Sequence, residues 1–208
     1  MLRVSFGCVI NQDAISQSAQ DTDEKTAIPA RFTAAVESMH AAQLRPEVTL
    51  GTIRPPQRLA PFSHAVGLEI DPEISETHGD AFGRLILLHD PKAEEAWDGS
   101  MRLVAYIQAD MDDELASDPM LPDVAWQWLQ EGLSEAGAQY SNLGGTVTAT
   151  ASVRFGEIGG PPRNYQVEMR ASWTAAGSEE LRTHVEGFSQ VLTQVAGLPP
   201  EGVRSLHR

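Results

Sequence analysis

The stretch GRLILLHDPKAEEAWDGSMRLVAYIQADMDDELASDPMLPDVAWQWL, residues 83–129, decides the fold class. Within it Leu85–Leu88 is apolar at every position, which predicts a central strand buried on both faces. Met101–Met111 instead alternates: Leu103, Ala105, Ile107 and Ala109 fall on one side, Arg102, Val104, Tyr106, Gln108 and Asp110 on the other. Successive strand side chains project to opposite faces, so this pattern predicts a half-buried antiparallel strand. Pro91 is expected to end the first strand, and Asp98-Gly99 is a turn signal between the two. The pair therefore reads as a hairpin. Asp118, just before Pro119, is placed to cap a following helix. Leu121, Val124, Ala125, Trp128, Leu129, Gly132, Leu133 and Ala136 form its apolar stripe, with Trp126 at the edge.

The same order returns downstream. In Gly145–Phe155 the residues Val147, Ala149, Ala151, Val153 and Phe155 alternate with threonine, serine and arginine. In Asn164–Ala175 the residues Tyr165, Val167, Met169, Ala171 and Trp173 alternate with Gln166, Glu168, Arg170, Ser172 and Thr174. Gly159 to Pro162 supply the reversal, and a last helix is expected near Ser178, with Glu179 and Glu180 in its first turn. Hairpin–helix thus occurs twice with no linker between. The expectation is a single α+β domain over residues 29–208, an antiparallel sheet built largely from these two units, with helices packed on one face.

Upstream, Pro29 opens a helix carrying Phe32, Ala35, Val36, Met39 and Ala42 at helical spacing, expected to reach Leu44. His40 beside that stripe reads as a helix-edge residue. Glu47–Ile53 and Ala65–Ile70 read as short strands, separated by RPPQRLAP (54–61), whose prolines cannot pair in a sheet. Residues 71–80 read as a polar loop turning at His78 and Gly79. Residues 1–28 lack periodicity and read as a mobile N-terminal leader.

Composition narrows the class of function. The net charge of −14 over 208 residues opposes nonspecific binding to nucleic acid or anionic lipid. Arg45, Arg54 and Arg58 do not amount to a basic patch, since Glu47 interrupts them. One cysteine, Cys8, allows no intramolecular disulfide and fits a reducing compartment. With no apolar run near the roughly 18 residues of a membrane span, the expectation is a cytoplasmic protein with no membrane contact.

Chemistry-bearing residues concentrate in two places. The loop holding His89, Asp90, Trp97 and Asp98 has residue types suited to acid–base or metal-assisted hydrolysis. No spacing forces them together, and neighbours on an extended chain diverge. The acidic run Asp110, Asp112, Asp113 and Glu114 lacks the glycine and distant glutamate of a calcium loop, and reads as a solvated strand end. No phosphate loop, nucleophile elbow or cysteine pair occurs. If the two hairpins share a sheet, Arg102, Tyr106, Gln108, Arg154, Gln166, Glu168 and Arg170 share its polar face, flanked by Thr146, Thr148 and Thr150. The leading expectation is a noncatalytic binding or adaptor protein using that face, for a protein partner or a second copy, with no cofactor and no metal. The alternative is a small hydrolase centred on His89–Asp98.

Several segments together carry a resemblance: RPPQRLAPFSHAVG (54–67), GRLILLHDP (83–91), WDGSMRLV (97–104), DPMLPDVAWQWL (118–129), GGTVTATASVRFG (144–156), MRASWT (169–174) and AGLPP (196–200). Over roughly residues 30–205 the chain resembles an uncharacterised actinobacterial family, a domain of unknown function. The resemblance implies an actinobacterial, cytoplasmic protein and brings no catalytic residue or cofactor. The family's gene neighbourhood, near genes resembling ribonuclease D, implies an association with RNA metabolism.

Overall fold

A computed structural model describes residues 28–71, 80–176 and 179–200. Residues 1–27 of the expected leader, the His78-Gly79 turn and the expected helix start at Ser178 lie outside those residues. The described elements run α1 (Ala30–His40), β1 (Val48–Ile53), β2 (Phe62–Ile70), β3 (Ala81–Glu94) and, after a single 3-10 turn, β4 (Gly99–Met111). Then follow α2 (Asp113–Ala116), α3 (Leu121–Glu135), β5 (Tyr140–Val153), β6 (Arg163–Ala175) and α4 (Arg182–Val195). All six strands form one antiparallel sheet in the order β1-β2-β3-β4-β6-β5. The two hairpins are direct neighbours, with Leu103 opposite Trp173 and Ala109 opposite Val167.

This register places the apolar half of every alternation on one face. Leu85 and Leu87, Leu103 and Ile107, and Met169 and Trp173 are all fully or almost fully buried there. The helices cover that face. Phe188 of α4 fits over Gly83 of β3, where a Cβ would lie 2.8 Å from its ring. Helices α3 and α4 cross backbone to backbone: a Cβ on Gly132 would meet the Gly187 carbonyl at 2.8 Å, and one on Gly187 would meet that of Gly132 at 2.7 Å. Glycine is what lets the two axes approach so closely.

Helix α4 has no side-chain cap of its own, with Leu181 at its N-cap. Ser38 of α1 supplies one across the fold. Its hydroxyl accepts from the Leu181 and Arg182 N–H groups at 2.9 and 3.0 Å and donates to Glu180 at 2.8 Å. Those N–H groups are among the unpaired donors that every helix start must satisfy.

Several sequence boundaries are corrected. Strand β3 does not stop at Pro91 but runs to Glu94, with the ladder slipping between His89 and Glu94. A bulge leaves residues unpaired, so a proline there forfeits no ladder bond. Strand β5 begins at Tyr140 rather than Gly145, through an irregularity at Ser141–Gly144 in which Asn142 takes a φ of 52°. Helix α1 ends at His40, short of Leu44. Asp118 is not the cap of α3: Met120 holds that position, and Asp118, two residues before it, accepts its N–H at 2.8 Å. Asp112 instead caps the short α2, accepting from the Leu115 N–H at 2.7 Å. Glu179 and Glu180 precede α4 and bind α1 through Arg31 and Ser38. Val124, placed in the buried stripe of α3, is 36% exposed.

Candidate functional site

The opposite face of the sheet carries the polar half of each alternation, and no helix of the described residues lies over it. Cross-strand neighbours there include Arg84 with Tyr106, Tyr106 with Arg170, Gln108 with Glu168, and Asp110 with Gln166. Directly opposed side chains in antiparallel strands are close enough to interact, so this list predicts a network.

The network is present. The Tyr106 hydroxyl lies 2.8 Å from both Glu168 Oε2 and Gln108 Oε1. With one proton to give, it donates to the charged Glu168, and a flipped Gln108 amide supplies the second bond. Partial burial, then the Glu168 carboxylate, raise the Tyr106 pKa above its ordinary 10.0. Glu168 also pairs with Arg170 at 2.9 Å, and the Arg170 guanidinium lies 5.8 Å from the centre of the Tyr106 ring. Phe82 packs against the same tyrosine, and the Arg84 guanidinium lies over the Phe82 ring, 5.4 Å from its centre. Asp110 accepts from Gln166 Nε2 at 2.9 Å. At the far end Arg102 donates to the Asn142 carbonyl, Thr174 and Ser172 at 2.7–3.1 Å, and desolvation lowers its pKa.

Beside the network lies an open groove of about 640 Å³ across β1 to β4 and β6. Carboxylates from Glu69, Asp80 and Asp110 line it, with one guanidinium from Arg84 and apolar wall from Ile53 and Phe82. Such a lining offers many hydrogen-bond acceptors and little positive charge, which suits a partner rich in donors.

Of the seven residues expected on the polar face, Arg102, Tyr106, Gln108, Gln166, Glu168 and Arg170 lie on it. Arg154 does not join them. It lies just past the end of β5, its N–H bonded to Pro162 and its guanidinium to the Gly159 carbonyl, bracing the hairpin tip. Phe82, Arg84, Glu69 and Asp80 were not singled out from the sequence. The signal available was the alternation of Phe82 and Arg84 with Gly83 and Leu85, which assigns them to the outer face once the pairing of β3 is known.

The residues of the alternative site are placed separately. His89 turns to the helix face, buried between Phe32 and Phe62, with Nδ1 2.9 Å from the Ser100 carbonyl. Asp90, also buried, accepts from the Lys92 N–H at 2.9 Å within the bulge. The Trp97 carbonyl accepts from Asn142 and Thr174. Asp98 sits at a φ of 52°, a turn conformation that aspartate tolerates.

Three other histidines make close contacts that the sequence does not signal. His184 is buried and accepts the Trp173 indole N–H on Nδ1 at 3.0 Å, and burial lowers its pKa from 6.5 to about 4. His40 and His64 approach Nε2 to Nε2 at 3.0 Å, and desolvation, then the charge of His40, lower the His64 pKa. Among the described residues no three histidine, cysteine or acidic side chains come together in a metal-binding group. No helix among them is long and apolar enough to cross a membrane.

A family model described as "Protein of unknown function (DUF3000)" matches residues 28–204. No curated protein matches the chain, and neither does any solved structure.

Proposed function

The chain belongs to the DUF3000 family, and on that premise we propose that it is a noncatalytic binding or adaptor protein of the cytoplasm. It takes a protein partner on the outer face of its sheet. One observation carries the reading: that face holds a pre-bonded polar network around Tyr106 beside a groove of about 640 Å³, with no helix of the described residues over it. A pre-formed face limits the entropy lost on binding. The acid-lined groove and a net charge of −14 favour a basic or amide-rich protein segment and disfavour direct contact with RNA. In this reading an association with RNA metabolism, and an actinobacterial origin, follow the resemblance, and the link to RNA runs through a protein.

The test is affinity capture from the native organism, followed by titration of the purified partner against wild-type and altered chains. Asp110→Lys and Glu69→Lys both reverse an acidic charge that lines the groove. We expect each to weaken binding at least tenfold while the fold persists by circular dichroism. Unchanged affinity in both variants would remove the outer face from consideration.

A further inference from the structure

The two edges of the sheet are built differently, and the difference points to a second copy of this chain. Strand β1 is a short edge of six residues, bounded by Glu47 and by Pro55 and Pro56. Strand β5 is fourteen residues long, and among the described residues it is an edge, bonded to β6 on one side only. Proteins ordinarily blunt a long edge with lysine, proline or an inward charge, because its free N–H and C=O groups template pairing with another chain. Between Gly145 and Val153 the strand has none of these, and its ladder is regular. It lies in the longest run without a charged residue in the whole sequence, Ala136 to Val153, in a chain whose net charge is −14. Strand β1 is also free of charge, but it is less than half as long.

The segment is also complementary to itself. We propose that two copies join β5 to β5 antiparallel about a two-fold axis near Ala149, the midpoint of Gly145–Val153, making one continuous twelve-stranded sheet. A two-fold axis pairs each residue with its mirror position about the midpoint. Thr148 then faces Thr150 of the second copy, and Thr146 faces Ser152, so hydroxyls meet hydroxyls on the outer face. Val147 faces Ala151 on the helix side. Faces match because mirrored positions share parity. Pairing also shelters apolar groups now in water, among them Val153, which is 50% exposed. This surface is distinct from the groove, and the two proposals stand or fall separately.

Sedimentation of the full chain across a concentration series reads the result. The wild type is expected at twice the chain mass of 22.6 kDa. Thr148→Lys with Thr150→Lys brings four like charges together at the junction and should give a monomer. Within one chain Thr148 lies opposite Glu168 and Thr150 opposite Gln166, so the added lysines leave the fold intact by circular dichroism. The matched change to valine at both positions should remain a dimer. Ala149→Cys, with Cys8→Ser, should cross-link under oxidation, since facing positions near the axis fall within disulfide reach. A monomeric wild type overturns the proposal, and one that dimerises after deletion of residues 1–27 assigns the edge to that segment instead. A dimer that survives the lysines, or that Ala149→Cys fails to cross-link, places the interface elsewhere and overturns it equally.

Discussion

The two faces of the sheet come from the same alternating strands and are held by different forces. On the inner face Leu103, Ile107, Met169 and Trp173 pack against Phe188 and Leu129 with little or no exposure. Its stability comes from apolar surface removed from water and from tight packing. On the outer face Tyr106, Glu168, Arg170 and Asp110 hold one another through hydrogen bonds that water could largely replace. Such bonds contribute little net stability. The difference teaches that the inner face sustains the fold, and that the outer face can change its partners without unfolding it.

The largest effect should come from truncating the contact that seats α4 on the sheet. Phe188→Ala leaves a cavity over Gly83 and should cost about 3–5 kcal/mol, read as a lowered denaturant midpoint. A midpoint unchanged by this substitution would break the comparison at its base.

Acid should act next, through the buried Trp173–His184 pair of the inner face. His184 is neutral in the fold because burial holds its pKa at about 4, against 6.5 for a free imidazole. Its Nδ1 must stay unprotonated to accept the Trp173 N–H. From pH 6.5 down to about 4 the unfolded chain binds the proton and the fold does not, so stability falls with pH across that window. The loss should approach roughly 3 kcal/mol. Unfolding free energies measured along that range, for wild type and His184→Gln, should differ in slope, the variant being flatter. Equal slopes would take His184 out of the account.

A smaller loss is expected where the two helices cross. Gly187→Ala forces a methyl against the Gly132 carbonyl and should cost about 1–3 kcal/mol by thermal denaturation. The smallest belongs to the outer face. Tyr106→Phe removes the hydroxyl from a half-buried network and should cost about 1 kcal/mol or less. If it matched the loss from Phe188→Ala, the division between the faces would be wrong.

The sequence was most legible where one face is dry and the ladder regular. Alternation in β4 and β6 assigns each residue to its face because a slip of one residue would expose the whole apolar set. Legibility failed where a local irregularity breaks the period. The bulge between His89 and Glu94 hides the end of β3 and carries Pro91 inside a strand. The turn at Asn142 similarly hides the start of β5. Long-range partners were also invisible. Glu179 and Glu180 look like first-turn helix residues until Arg31 and Ser38 arrive from elsewhere in the chain. The groove required knowing that β2, β3 and β4 are neighbours, since Glu69, Arg84 and Asp110 are far apart in sequence. Their types alone say nothing of convergence.

The borrowed cap of α4 ties together segments that are far apart in the chain. Ser38 and Leu181 are 143 residues apart, and the first turn of α4 is finished only when α1 is seated. If α1 lifts away, the Leu181 and Arg182 N–H groups lose their acceptor together. Amide exchange should therefore report α1 and the start of α4 as a single opening unit, released in one event, despite lying at the two ends of the described chain.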